Sequence, residues 1–229
     1  AEKIVCVSIM PCIAKKYEAD VPQVSSASEK DVDIVLTTRE ICRMLRSGGL
    51  DFAKIQESEF DAPLGLGTGA GVIFGTSGGV MEAALRSAHY LVTGENPDAD
   101  KFSAVRGMDG WKERTVQVGD ATLNVAVTNG LANARRLIEA IKAGKVSYDF
   151  VEIMACPGGC VGGGGQPIRD GQELAAERSK TLRYLDSASV IRFSHENPFI
   201  KTVYEEYLEK PNSHIAHELL HTSHQEWDI

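Results

Sequence analysis

Apolar residues along this chain fall into short unbroken runs separated by stripes of helical period. Residues 3–10 (KIVCVSIM) form a continuous apolar run of strand length that stops at Pro11, which cannot continue a ladder. A run without polar alternation reads as a parallel-sheet strand buried on both faces. Residues 32–36 (VDIVL) form a second run. Thr37 or Thr38 then offers a helix cap ahead of Arg39, Glu40 and the stripe Ile41, Met44, Leu45, which closes at Gly48-Gly49. Residues 65–71 (GLGTGAG) read as a flexible loop, and residues 72–74 are short and apolar. Gly78-Gly79 leads into a helix near 80–92 with a stop at Gly94. Runs 115–118 and 123–127 flank Gly119-Asp120 and read as a hairpin. A helix at 131–143 ends before Gly144, and 150–154 is a further buried strand. Strand, helix, strand from 123 to 154 is a βαβ unit. Beyond Gly165 the pattern is helical, at roughly 172–186, 196–209 and 213–222. The expected class is α/β, with parallel sheets flanked by helices and a helical C-terminal tail from about 190 to 229.

With 43% apolar and 24% charged residues, the 229-residue chain has material for one large domain or two small lobes. It carries 24 basic and 32 acidic residues, a net charge of −8. That balance argues against a nucleic-acid or anionic-membrane partner, either of which favours a basic face. No apolar run approaches the ~18 residues of a membrane span, and no signal-peptide pattern is visible. The first residue is Ala1, so a trimmed or partial chain is expected. Five cysteines, at 6, 12, 42, 156 and 160, are too few and too uneven for a disulfide scaffold. A reducing, cytoplasmic setting with thiolates available for metal or redox work follows.

The chemistry concentrates at two strand ends. Met10-Pro11-Cys12-Ile13-Ala14-Lys15-Lys16-Tyr17-Glu18 lies at the C-terminal end of the first run, where open α/β sheets hold ligands. A lysine three residues after a cysteine can hold it as thiolate. The second stretch is residues 152–167, EIMACPGGCVGGGGQP. Cys156 and Cys160 can converge on one metal centre, and the glycines let backbone N–H groups approach sulfur where a side chain would block them. Thiolates select zinc or iron–sulfur. Zinc ribbons use paired two-residue gaps, so this spacing favours iron–sulfur.

These two stretches closely resemble two of the three cysteine motifs of iron-only (FeFe) hydrogenases. TTRE at 37–40, GVIFGTSGGVMEAALR at 71–86, SHENP at 194–198 and AHELLH at 216–221 extend the likeness along nearly the whole chain. The resemblance implies the C-terminal portion of a bilobal hydrogenase catalytic domain with the cluster between the lobes. It implies a four-iron cubane (4Fe-4S cluster) bridged by a cysteine to a di-iron subcluster with carbonyl, cyanide and dithiolate ligands, which reversibly interconverts protons, electrons and hydrogen. Motif for motif, Cys12 and Cys156 would be cubane ligands and Cys160 the bridging thiolate. Lys15 would donate to a cyanide, Met10 and Met154 would pack against the di-iron unit, and Phe74 would wall its pocket. Gly159 and Gln166 would lie within the binding loop. An ammonium on cyanide in a dry pocket is a strong charge-assisted bond, and methionine fills space without offering a proton.

The family's third motif, a Thr-Ser-Cys-Cys-Pro run that brings the fourth cubane cysteine and the proton-donating cysteine, has no counterpart here. Cys6 and Cys42 read as ordinary buried residues rather than replacements. A missing N-terminal segment or companion subunit is therefore expected, with ferredoxin or an NAD-linked subunit as electron partner. A competing reading is a non-catalytic relative acting in iron–sulfur assembly or sensing. A different one is a zinc metalloprotease through His217-Glu218-Leu219-Leu220-His221, with His224, Glu226 and Asp228 the nearby candidates for a third ligand. Arg86, Arg106, His89 and His195 read as surface or helix-packing residues.

Overall fold

A computed structural model describes residues 4–24, 30–62 and 64–222. In chain order its elements are β1 (Val7–Met10), α1 (Ala14–Glu18), β2 (Ile34–Thr37), α2 (Thr38–Ser47), α3 (Gly69–Ile73), α4 (Gly79–Thr93), β3 (Trp111–Val118) and β4 (Ala121–Asn129). Next come α5 (Leu131–Lys142), β5 (Phe150–Met154), α6 (Ala175–Ala188), α7 (Pro198–Val203), a π turn at Tyr204–Leu208, and α8 (His214–Leu220). The class is α/β, with two small sheets flanked by helices. The chain divides into a first unit, residues 1–60, 164–167 and 198–229, and a second, residues 61–163 and 168–197. Among the described residues no helix is long and apolar enough to cross a membrane.

In the first unit β1 and β2 pair in parallel, from Val7 opposite Ile34 to Met10 opposite Thr37. A complete capping box starts α2. The Glu40 N–H donates to Thr37 Oγ1 at 3.2 Å, and the Glu40 carboxylate accepts from the Thr37 N–H at 2.8 Å. That bond, with Lys16 alongside, holds the Glu40 carboxyl down at about 2. The expectation that residues 3–10 are buried on both faces is corrected here. Val7 and Ile9 are 47% and 55% exposed, and Ile4, Val5 and Cys6 are exposed as well. The reason is the sheet's width: β1 has one strand neighbour, and only alternate residues, Ser8 and Met10, turn toward cover.

The second unit holds the main core. Its sheet runs β3-β4-β5, with β3 antiparallel and β4 parallel to β5, so the sheet is mixed rather than all-parallel. Gly119, at a φ of 58° that suits glycine, turns the hairpin. The central strand β4 is buried from Val125 through Asn129. Met81, Leu85, Phe102, Val105, Val118, Val125 and Val127 form one buried cluster between the sheet and α4. The loop expected at 65–71 turns helical at Gly69, because Thr68 Oγ1 accepts from the Gly71 N–H at 3.1 Å and starts α3. A Cβ on Gly69 would lie 2.3 Å from Asp186 Oδ1, so only glycine lets α3 pack against α6.

Under this packing lies a buried ion network. Glu82, Arg86 and Asp186 are sealed from solvent, so of the two roles expected for Arg86, surface or helix packing, it takes the second. Arg86 donates to Glu82 at 2.8 Å and to both oxygens of Asp186; Arg106 and Arg183 also donate to Glu82, and Arg192 to Asp186 at 2.7 Å. Buried charges persist only when paired in this way. Burial pushes the Asp186 carboxyl up, but the bonds from Arg86 and Arg192 outweigh it and hold it at about 2.

Candidate metal centre

The first unit carries Met10, Cys12, Lys15 and Gln166. Met10 ends β1, and Cys12 is half-buried one residue beyond Pro11. The approach to Cys12 is fixed by a distant piece of chain. The Gly165 N–H donates to the Pro11 carbonyl at 3.0 Å, and the Gly165 carbonyl accepts from the Arg39 N–H at 3.0 Å. The Arg39 guanidinium reinforces this at the Gly164 carbonyl, 2.7 Å away. A Cβ on Gly165 would lie 2.9 Å from Thr37 Cβ and 3.0 Å from the Pro11 carbonyl carbon, so the glycine is required by close approach. Gln166 follows directly. Lys15, on α1, reaches Glu18 at 2.5 Å, while Lys16 bonds the Val35 carbonyl at 2.8 Å.

The second unit carries Phe74, Met154, Cys156, Gly159 and Cys160. Strand β5 delivers Met154, whose carbonyl accepts from the Gly130 N–H at 2.9 Å. Beyond it the chain folds into a tight loop. The Gly159 N–H donates to the Cys156 carbonyl at 3.0 Å, and the Gly163 N–H to the Cys160 carbonyl at 2.9 Å. Asn129, buried at the end of β4, accepts from the Gly158 N–H at 3.0 Å and anchors its own amide on the Asp109 carbonyl at 2.8 Å. The loop lies against residues 75–77: the Ser77 N–H donates to the Gly158 carbonyl and the Val161 N–H to the Gly75 carbonyl, both at 2.9 Å. Gly159 sits at φ 94°, and a Cβ there would lie 2.8 Å from Ser77 N. Arg178 of α6 donates to the Val161 carbonyl at 3.0 Å. Gly158 and Gly159 are buried, Cys156 is half-buried and Cys160 exposed, as is Phe74.

The donor chemistry fits an iron–sulfur group. The thiols at 156 and 160 sit at the two ends of a loop held by backbone bonds, by Asn129 and by Arg178, with glycine where a Cβ would meet backbone. Each unit alone offers one or two of the three candidate thiols. Among the described residues, no three His, Cys, Asp or Glu side chains form a metal cage. Cys6, read as buried, is exposed: it precedes β1, and its bonds are made by its backbone, the N–H donating to the Asp33 carboxylate at 2.8 Å and the carbonyl accepting from the Asp33 and Ile34 N–H groups at 3.0 and 3.2 Å; Cys42 is half-buried on α2. The rings of His217 and His221 stack 4.5 Å apart, while His224, Glu226 and Asp228 lie outside the described residues. Asn129, Arg39 and Glu152 are supports that motif reading passed over. Only Glu152 left a signal of its own, a carboxylate in the middle of an apolar strand.

Residues 1–164 match the family described as iron only hydrogenase large subunit, C-terminal domain, and residues 172–227 that described as iron hydrogenase small subunit. The chain is 50% identical to the NADP-reducing hydrogenase subunit HndD of Solidesulfovibrio fructosivorans, over 96% of this chain and 38% of that protein. It is 32% identical to the cytosolic Fe-S cluster assembly factor narfl of Xenopus tropicalis, over 95% of this chain and 47% of that protein. Among solved structures, an apo FeFe hydrogenase variant from Chlamydomonas reinhardtii matches at a TM-score of 0.78 and 43% identity, covering 96% of this chain and 63% of that one. The chain thus spans under half the length of these two sequence relatives.

Proposed function

The chain belongs to the iron-only hydrogenase family, and from that premise we propose that it is the C-terminal part of a hydrogenase catalytic domain. In this reading Cys12 and Cys156 ligate a four-iron cubane, and Cys160 bridges it to a di-iron subcluster. When bound, that cluster supplies the interconversion of two protons and two electrons with hydrogen. The protein's own residues bind, orient and shield it. Lys15, paired with Glu18 in this structure, would offer its ammonium to a cyanide ligand. Met10 and Met154 present soft apolar bulk that excludes water without donating a proton, Phe74 walls the pocket, and Gly159 and Gln166 line the loop. The fourth cysteine and the proton path are assigned to a further segment or companion subunit, and electron exchange to ferredoxin or an NAD(P)-linked subunit. The 50%-identical relative, an NADP-reducing hydrogenase subunit, favours the latter. The setting proposed is the cytoplasm, where cysteines outside disulfides persist; none of the five here is in one.

One observation carries this reading: a Cys156–Cys160 loop in which glycine stands where a Cβ would meet backbone, borne on a chain 50% identical to a hydrogenase. The assembly-factor reading rests on a lower identity, 32%. The test is anaerobic hydrogen uptake with a dye acceptor by the complete, matured protein, alongside its iron content. Activity that disappears with iron in Cys12→Ser, Cys156→Ser and Cys160→Ser supports the proposal. Iron retained by all three variants overturns it, and a fully loaded protein without hydrogen chemistry favours the assembly role.

A further inference from the structure

Glu152 sits in the middle of β5 and is 5% exposed. Its carboxylate crosses to the start of α4. Oε1 accepts from the Gly78 N–H at 2.6 Å and Oε2 from the Met81 N–H at 2.7 Å, with the Val80 N–H also directed at it. Gly78, at φ 82°, gives the turn the left-handed shape that aims these donors together. An anion there also meets the positive end of the helix. Burial pushes the Glu152 carboxyl up from its usual range, and the converging N–H groups pull against that rise.

The same elbow, residues 75–81, grips the cysteine loop on its other side. Ser77 N–H reaches the Gly158 carbonyl, Val161 N–H reaches the Gly75 carbonyl, and Gly159 lies so close that a Cβ would be 3.0 Å from the Thr76 carbonyl carbon. Strand β5 therefore reaches its own C-terminal loop twice. One route is covalent, through Met154 and Ala155. The other runs from Glu152 through Gly78 and Met81, along the elbow, and out through Ser77 and Gly75 to Gly158 and Val161. The two routes close a ring that contains Cys156 and Cys160. A closed ring of short bonds fixes the separation and direction of both cysteine α-carbons, which a free loop would not.

We propose that Glu152 is a positioning residue for Cys156 and Cys160: its carboxylate holds the 75–81 elbow, and the elbow holds the loop in its ligating shape before iron arrives. This rests on the reading of those cysteines as cluster ligands. A carboxylate is needed because the donors converge on two acceptor oxygens. Glutamine would turn an NH2 group toward one of them.

The test is native-state amide hydrogen exchange on the complete protein purified without its cluster, as wild type and Glu152→Gln. In the wild type, Gly78 and Met81 should open together with Gly159 and Val161. In Glu152→Gln all four should exchange faster by about tenfold or more, the scale set by one lost hydrogen bond to a charged group, while Val125 and Val127 of β4 keep wild-type protection. Alkylation of Cys156 and Cys160 should rise in parallel, and after cluster loading the cubane's electron paramagnetic resonance lines should broaden. The proposal fails if the elbow and the loop open independently in the wild type, a measurement that stands even when the variant does not fold. It also fails if Glu152→Gln leaves Gly159 and Val161 unchanged, or loosens β4 to the same degree. Full iron in Cys156→Ser and Cys160→Ser would instead sink the ligand assignment and leave the exchange pattern intact, so the two failures are separable.

Discussion

Arg86 sets Nη1 and Nη2 on the two carboxylate oxygens of Asp186 at 3.0 and 2.8 Å, with both side chains sealed from water. Residue 86 lies in the stretch matched by the large-subunit description and residue 186 in that matched by the small-subunit one. Asp186→Asn leaves a buried guanidinium short of its counter-charge. The expected cost is about 3–5 kcal/mol, the range for breaking one side of a buried pair. Urea unfolding at neutral pH measures it; a loss below about 1 kcal/mol would show that Glu82 alone satisfies Arg86.

Acid should act through the same residue and through Glu40. Both carboxyls are held at about 2, from ordinary values of 3.8 and 4.5. The folded state thus takes up these protons later than the unfolded chain does. The stability they contribute is complete above about pH 4.5 and drains away as pH falls toward 2. Glu152 works in the opposite sense, since its raised carboxyl favours the folded state at low pH and loses that advantage as pH rises past its own midpoint. Denaturation midpoints measured from pH 6 down to 2.5 should fall steeply in the wild type and less steeply in Asp186→Asn and Glu40→Gln.

Gly159→Ala combines two penalties, a φ of 94° and a Cβ 2.8 Å from Ser77 N. Backbone strain of this kind costs roughly 1–3 kcal/mol. Because the strain falls on the cysteine loop, iron content after reconstitution should drop more than thermal stability does. Unchanged iron loading would mean the loop is not the cluster's cradle.

Lys15 allows fold and function to be told apart. Its pair with Glu18 is more than one-third exposed on both sides. Lys15→Ala should therefore change stability by no more than about 0.5 kcal/mol. Hydrogen uptake should fall by roughly 10²-fold or more, as when a preorganised donor is removed from a reaction centre. Activity within a factor of two of wild type would remove Lys15 from the site.

Much of this could be read along the chain, and the misses have physical causes. The capping box at Thr37 and Glu40, the Gly119-Asp120 hairpin and the cysteine loop each declare themselves within a few residues, because the bonds that make them are local. Asn129 and Gly158, or Gly165 and Pro11, lie 29 and 154 residues apart, and nothing in a local pattern reports such a pairing. The apolar run 3–10 misled because apolarity predicts a desire for cover, whereas the number of neighbouring strands decides whether cover exists. For Arg86 the pattern left surface and helix packing both open, because a cation on a helix usually faces water; only three-dimensional placement supplies the two carboxylates that allow it inside.

The order in which the polypeptide leaves the ribosome gives the interleaved units a temporal meaning. Residues 164–167 and everything from 198 onward belong with the first sixty residues, whereas the intervening pieces belong together. The later-numbered unit is therefore fully synthesised, Cys156 and Cys160 included, while the earlier one still waits for its closing helices. Were Cys12 to share a cluster with Cys156 and Cys160, as proposed, its insertion would have to wait until those closing helices are made.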